Sequence, residues 1–379
     1  TEVQGGDGGI PLFKQNPTSS STAYYITNYV YNDNMNKRGL NGATQKTLSD
    51  GTASRGLFYP AMTLDSSNDI VYSDFTDGVN RVYTVRRYSA YTGGGAATRT
   101  NLTNALLTSY PTALNTGKVT KTTLYIGTAN SKLLKVTGAN NTAGIWSDIS
   151  ATASFVGTIS DIEFGADDNK IFVTLKNYGT TNVWYTNNGG TNWYNIEGDL
   201  PDMPVHSIIQ NPLNSAELMI GTELGVWYAN TFNPATNANQ SLAWKSSFNG
   251  MMNVKVTDID LQPNSPTTPT GYNVFASTYG RGVFSGPLTS TTLSNEDVAV
   301  LKGINIYPNP AKSTLNIGIA NFTGDLTIEL YDIHGRLALT STVDFSATKS
   351  LNIGDLQSGV YILKLKGQDL SYFQKIVVN

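Results

Sequence analysis

The chain has no cysteine, so there is no disulfide framework and no thiolate for catalysis or metal binding. Histidine is nearly absent as well. His206 and His334 are the only two in 379 residues, and a histidine metal cluster or a Ser-His-Asp triad would have to use one of them. His334 falls in a predicted hairpin turn and His206 at the start of a predicted strand, settings that suit rim histidines, so neither supports an enzyme, a metal or a cofactor. Charged residues make up 14% of the chain with a net charge of −3, and no basic stripe forms, which argues against nucleic acid and against a polybasic membrane contact. No apolar run reaches the ~18 residues a spanning helix needs. The first ten residues carry no initiating Met and no secretory leader, and the chain is expected to start downstream of its gene's start.

What is abundant instead points to strands. The 36 Gly and 21 Tyr, with plentiful Thr and Asn, suit many short strands joined by polar turns, and the length suggests two or three domains. Trp146, Trp193 and Trp244 are separated by 47 and 51 residues, and each is followed 15 or 16 positions later by Ile162, Ile208 or Ile259. A polar turn comes next, then a strand ending near Thr174, Thr222 or Thr278, then Val183-Trp184, Val226-Trp227 or Val283-Phe284. A period of this size suits propeller blades, four-stranded sheets that each cover a neighbour's open face. Two weaker copies run from Pro60 to Val82-Tyr83 and from Pro111 to Leu133-Leu134, which makes five units; residues 11–56 fit the repeat poorly.

The segment Thr186-Asn-Asn-Gly-Gly-Thr-Asn-Trp193 resembles the Asp-box (BNR-type) hairpin of sialidase-like and sortilin-like propellers. Asn188 stands where the usual Asp caps the turn and Asn192 where Thr is common, but Thr186, Gly190 and Trp193 keep the pattern. Such boxes are structural turns, and a folding role is expected. Gly5-Gly-Asp-Gly-Gly-Ile10 resembles the middle of a blade from Bacteroidetes propellers, so further N-terminal blades are expected to be missing.

Past Phe284 the repeat stops, and Ser285 to Glu296 reads as a Ser/Thr-rich linker. From Ile304 the pattern changes to short alternating strands: Leu326, Ile328 and Leu330 share one face, as do Tyr361, Leu363 and Leu365. About seven such strands predict a small antiparallel Ig-like β-sandwich. The expected organisation is all-β: a blade remnant and irregular segment over 1–56, a partial propeller over 57–288, a linker over 289–302 and the sandwich over 303–379.

Four blocks in this last domain, Ile306-Tyr-Pro-Asn-Pro-Ala311, Leu330-Tyr-Asp-Ile-His-Gly-Arg336, Leu356-Gln-Ser-Gly-Val-Tyr361 and Lys375-Ile-Val-Val-Asn379, together resemble the type A sorting domain of type IX secretion in Bacteroidetes. The resemblance implies export across the outer membrane of a Gram-negative bacterium to the surface or medium. Its implied partners are the translocon, an outer-membrane shuttle β-barrel and a cell-surface sortase that cuts between Ser285 and Lys302. The residues carrying the sorting signal would be Pro308, Asn309, Pro310, Tyr331, Asp332, Gly335, Arg336, Gly359, Tyr361, Lys375, Val377 and Val378. Pro308 and Pro310 remove two backbone donors and belong at a strand start or sheet edge. Gly335 and Gly359 are expected to supply turn geometry and Tyr331 and Tyr361 strand packing, while an exposed edge including Lys375 to Asn379 is expected to dock by strand addition. The presence of this domain implies a molecule captured before processing.

For the first domain, adhesion or the binding of a glycan or another surface ligand is expected on fold analogy, with Arg281 in Tyr279-Gly-Arg-Gly282 as a candidate ligand contact. The rival is a carbohydrate-active hydrolase resembling the xyloglucan-cleaving propellers, with catalytic acids partly in the missing blades. Asp7, Asp161 and Asp258 are the acids in repeat-like positions; Asp161 and Asp258 are equivalent, which favours a structural role, and an enzyme is not expected.

Overall fold

The computed structural model describes residues 9–288 and 303–379, apart from 53, 142–143, 248–250, 252, 266–268, 270, 321, 333–334, 347 and 368–369. His334 and Asp7 lie outside the described residues, as does the segment 289–302. The chain divides into two compact units, 1–290 and 291–379, and is all-β, with no α-helix among the described residues.

The first unit is a series of antiparallel sheets whose strands follow chain order. They are β1–β4 (Leu12–Phe13, Tyr24–Thr27, Asn36–Gly39, Thr44–Thr47), β5–β8 (Met62–Asp65, Ile70–Asp74, Val85–Ser89, Thr98–Leu102) and β9–β12 (Pro111–Thr116, Leu124–Thr128, Leu133–Thr137, Ile145–Asp148). Next come β13–β16 (Ile159–Phe164, Ile171–Leu175, Val183–Thr186, Tyr194–Asn195), β17–β20 (Val205–Gln210, Leu218–Thr222, Gly225–Ala229, Lys245–Ser247) and the three strands β21–β23 (Val256–Pro263, Tyr272–Thr278, Gly282–Leu288). The first strand of each sheet touches the first strand of the next, from β1 through β21.

Strand periodicity explains this stacking. In β14, Ile171, Val173 and Leu175 join the core shared with the third sheet, while Phe172 between them joins the core shared with the fifth. In β10, Leu124 and Ile126 face the second sheet and Tyr125 the fourth. A strand apolar on both sides needs a sheet against each face, so one sheet cannot fold without its neighbours.

The repeat has a definite phase in the structure. The three tryptophans sit on or beside the last strands β12, β16 and β20, so each sequence repeat begins in one sheet and ends in the next. Asp161, Ser207 and Asp258 are structurally equivalent, each following a register shift at Ser160, His206 or Thr257. Thr222 and Thr278 correspond to Leu175, one residue beyond Thr174. In the second sheet the third strand starts at Val85, not at Val82-Tyr83. Residues 12–47, inside the stretch expected to be irregular, form a sheet of their own. Ser285 to Leu288, read as linker, belong to β23, and Leu288 is buried.

In the second unit, β24 (Ile304–Tyr307), β25 (Thr314–Ile319) and β28 (Thr348–Asn352) form one sheet. The other holds β27 (Leu337–Phe345), β26 (Gly324–Asp332), β29 (Gly359–Gly367) and β30 (Leu370–Val378), in that order. Leu315, Ile317 and Ile319 of the first sheet share a core with Leu326, Ile328, Leu330, Leu363 and Leu365 of the second, the faces that alternation predicts.

Candidate functional site

The blocks that resemble a sorting domain lie up to about seventy residues apart in sequence and meet at one end of the second unit. The Asn309 side chain accepts the Val377 amide hydrogen at 2.9 Å and donates to the Lys375 carbonyl, also at 2.9 Å. Two residues on, Ala311 bridges Val378: its N–H donates to the Val377 carbonyl, and its carbonyl accepts from Asn379 N–H, both at 2.8 Å. A chain carrying Pro308 and Pro310 cannot run as a regular ladder strand, and one side-chain amide supplies the missing donor and acceptor.

The remaining blocks continue from this seam. Val378 pairs with Gly359, and Tyr361 pairs with Ile376 on one side and Asp332 on the other. Asp332 closes the β26–β27 hairpin, accepting from the Arg336 backbone N–H at 3.0 Å and the Arg336 side chain at 2.7 Å, with Gly335 at φ 78°. Tyr361 is buried and its hydroxyl donates to the Gln357 carbonyl at 2.9 Å. Tyr331 donates to Glu329 at 3.0 Å, an interaction that raises the phenol pKa.

Two expectations change here. Gly359 begins strand β29 without a positive φ, so it fills a paired strand position and not a turn. The end of β30 is not an open edge either. Ile376 and Val378 are buried, and Asn309 and Ala311 already occupy the outward backbone groups from Lys375 to Asn379.

In the first unit, the turn after β15 is held by its own side chains. Thr186 Oγ1 donates to Asn188 Oδ1 at 2.9 Å and accepts from Gly190 N–H at 3.1 Å, while Asn188 Oδ1 accepts from Asn192 N–H at 3.0 Å. Gly189 and Gly190 have φ 69° and 93°, and Trp193 is buried with its indole N–H on the Ile149 carbonyl at 2.8 Å. The Asn188 carbonyl thus accepts as a carboxylate would.

Two titratable clusters lie along the first strands. Asp161 accepts from Ile162 N–H at 2.8 Å and from Ile208 N–H of the next sheet at 3.0 Å, which supports its structural reading. Burial and the neighbouring Glu163 push Asp161 up to about 7; Glu163 and Asp258 are also pushed up to about 7, by burial first and then by the acids around them, Asp260 included. The Asp258 side chain itself is exposed on β21.

Nearer the start of the same strands, Glu223 Oε1 meets His206 Nε2 at 2.9 Å and Lys255 Nζ at 2.8 Å. Burial, reinforced by Lys255, lowers the His206 pKa; burial likewise lowers that of Lys176, which also faces Lys255. His206 is a partly buried residue near the start of β17. Arg281 is exposed in the β22–β23 turn between Gly280 and Gly282, at φ 81° and 76°. Sequence reasoning missed Glu163, Glu223, Lys176 and Lys255; the shared register beside Ser160, His206 and Thr257 was the signal that could have found them. Among the described residues, no group of three or more His, Asp or Glu is placed to hold a metal ion, and no helix is long and apolar enough to cross a membrane.

Residues 305–379 match the family of the secretion system C-terminal sorting domain. This domain marks the chain for export by the type IX system, to the cell surface or into the medium. Ulvan lyase NLR42 of Nonlabens ulvanivorans is 28% identical over 93 residues, 24% of this chain and 17% of that protein. The GH74 enzyme of Niastella koreensis is similar in fold over 98% of this chain and 59% of its own length, with 14% identity and a TM-score of 0.52. PorZ, described as an essential surface component of the type-IX secretion system of Porphyromonas gingivalis, is aligned over 100% of this chain and 53% of that one, with 12% identity and a TM-score of 0.49. The chain thus spans less than two thirds of each of these proteins.

Proposed function

We propose that the protein is a type IX cargo in which a partial Asp-box β-propeller, delivered by an Ig-like sorting sandwich, binds a glycan or protein ligand at the cell surface. In this reading the blades end at Leu288, residues 289–302 are the linker the sortase cuts, and the sandwich engages the translocon and an outer-membrane shuttle barrel. The observation that carries the export half is the sorting-domain match, whose motif blocks converge on the Asn309–Val377 seam. The sheet-to-sheet stacking and the Thr186–Asn188–Gly190 turn support the propeller half. Surface fractionation tests the whole: the full-length gene product is expected outside the cell in a strain with a working type IX system and in the periplasm when the translocon is deleted.

A hydrolase is the second reading, and one feature favours it: burial pushes Asp161, Glu163 and Asp258 up to about 7, the range in which a general acid works. Incubation with a polysaccharide panel tests it. Release of reducing ends by the full-length gene product that Glu163→Gln abolishes would support the hydrolase; no release by that product from any member would count against it.

A further inference from the structure

We propose that the end of the first unit where strands β13, β17 and β21 begin is a binding site for a uronic-acid polysaccharide, with Lys176 and Lys255 taking the carboxylate and Tyr178 and Tyr279 the sugar faces. The inference rests on the glycan-binding reading above and names its ligand class.

The connections at this end bring the residues together. Lys176 N–H donates to the Thr158 carbonyl, beside the start of β13, and the turn that carries Tyr178 is tied down at Gly179, whose N–H donates to the Asp202 carboxylate at 2.7 Å. Tyr279 N–H donates to the Lys255 carbonyl at 2.9 Å, beside the start of β21. Between them His206, on β17, shares Glu223 with Lys255.

Charge at this cluster is uneven. Of the two carboxylates at this end, Asp202 accepts the Gly179 N–H and Glu223 Oε1 already serves both His206 and Lys255, while no ion pair among the described residues involves the Lys176 ammonium. Partial desolvation and like charge from Lys255 disfavour the Lys176 cation, so an incoming carboxylate would relieve a repulsion already present. Glu223 shows that one carboxylate can bridge two side chains here, the His206 ring and the Lys255 ammonium. The acids Asp161 and Asp258 lie farther along the strands and accept backbone N–H groups of their own.

The apolar exposure at the same end fits a sugar better than a peptide acid. Tyr178 is 67% exposed and Tyr279 76%, both on connections that flank the cations. Exposed tyrosines bury little against their own fold, and their flat rings with a polar tip suit the C–H faces and hydroxyls of a pyranose.

Calorimetric titration of the full chain with polygalacturonate, its methyl ester, a sulfated galactan and polyglutamate tests this. Polygalacturonate is expected to bind about tenfold or more tighter than the other three, and more weakly at high salt. Lys176→Gln and Tyr279→Ala are each expected to lower that affinity by about tenfold, and Lys245→Gln, an equal charge change on exposed β20, to leave it unchanged. Thermal unfolding confirms that each variant is folded. Equal binding of acid and ester overturns the inference but leaves glycan binding standing. Equal binding of polyglutamate, or preference for the sulfated chain, overturns the uronate assignment. Loss of binding to every probe, by a folded chain, removes both the inference and the glycan reading.

Discussion

Asn309 and Val377 are 68 residues apart in sequence and joined by a 2.9 Å hydrogen bond, with the same side chain reaching the Lys375 carbonyl. An edge strand with free N–H and C=O groups is a template for unwanted pairing, and here the Pro-Asn-Pro segment covers it. Asn309→Ala removes both bonds from a solvent-exposed seam and should destabilise the sorting domain by ~1–2 kcal/mol. Hydrogen exchange at the Val377 amide should accelerate accordingly. Unchanged protection there would show that the Ala311–Val378 bridge alone closes the edge.

Gly190 tests the turn after β15. Its φ of 93° disfavours any side chain, and an added Cβ would sit 2.8 Å from Ile149 Cβ and 3.0 Å from the Ile149 carbonyl. Gly190→Ala should cost at least ~2 kcal/mol in denaturant unfolding of the first unit. Gly189→Asn, at φ 69° with the Asn169 side chain at 3.3 Å as its nearest neighbour, should cost under ~1 kcal/mol because Asn tolerates this conformation.

The acids along the first strands set a pH dependence with a definite sign. Asp161, Glu163 and Asp258 are held near 7, above their unfolded values near 4, so between these limits the folded state binds more protons than the unfolded one. Stability of the first unit should therefore fall as pH rises from about 5 to about 7 and level off above that. Below about 5 the acids whose pKa is lowered, such as Asp167 and Glu223, begin to act in the opposite direction. Asp258→Asn should raise the unfolding midpoint at pH 8 and change it little at pH 5. An equal rise at both would mean that Asp258 acts through packing and not through charge.

Much of this was legible in the sequence because strand alternation is local. Ile171, Val173 and Leu175 on one face and Phe172 on the other are visible within five residues. The first sheet was harder to read because its outer strands, Asn36–Gly39 and Thr44–Thr47, are polar and carry no apolar pattern. Val82-Tyr83 misled because Asp77 caps a turn at Val79 and Asn80 and bridges to Val82, which places those apolar residues at the neck of a loop before β7. The Glu223 contacts and the Asn309 seam join residues 17, 32 and 68 positions apart, and no periodicity carries information over such separations.

The central claim is that the second unit is the export signal, and a reporter assay tests it most directly. Residues 285–379, fused behind an inert periplasmic reporter in a strain with a working type IX system, should carry the reporter to the cell surface or medium, and Asn309→Ala should reduce the exported fraction. Deleting residues 303–379 from the native protein should hold it in the periplasm. A reporter that stays in the periplasm, together with native export unchanged by the deletion, would contradict the account.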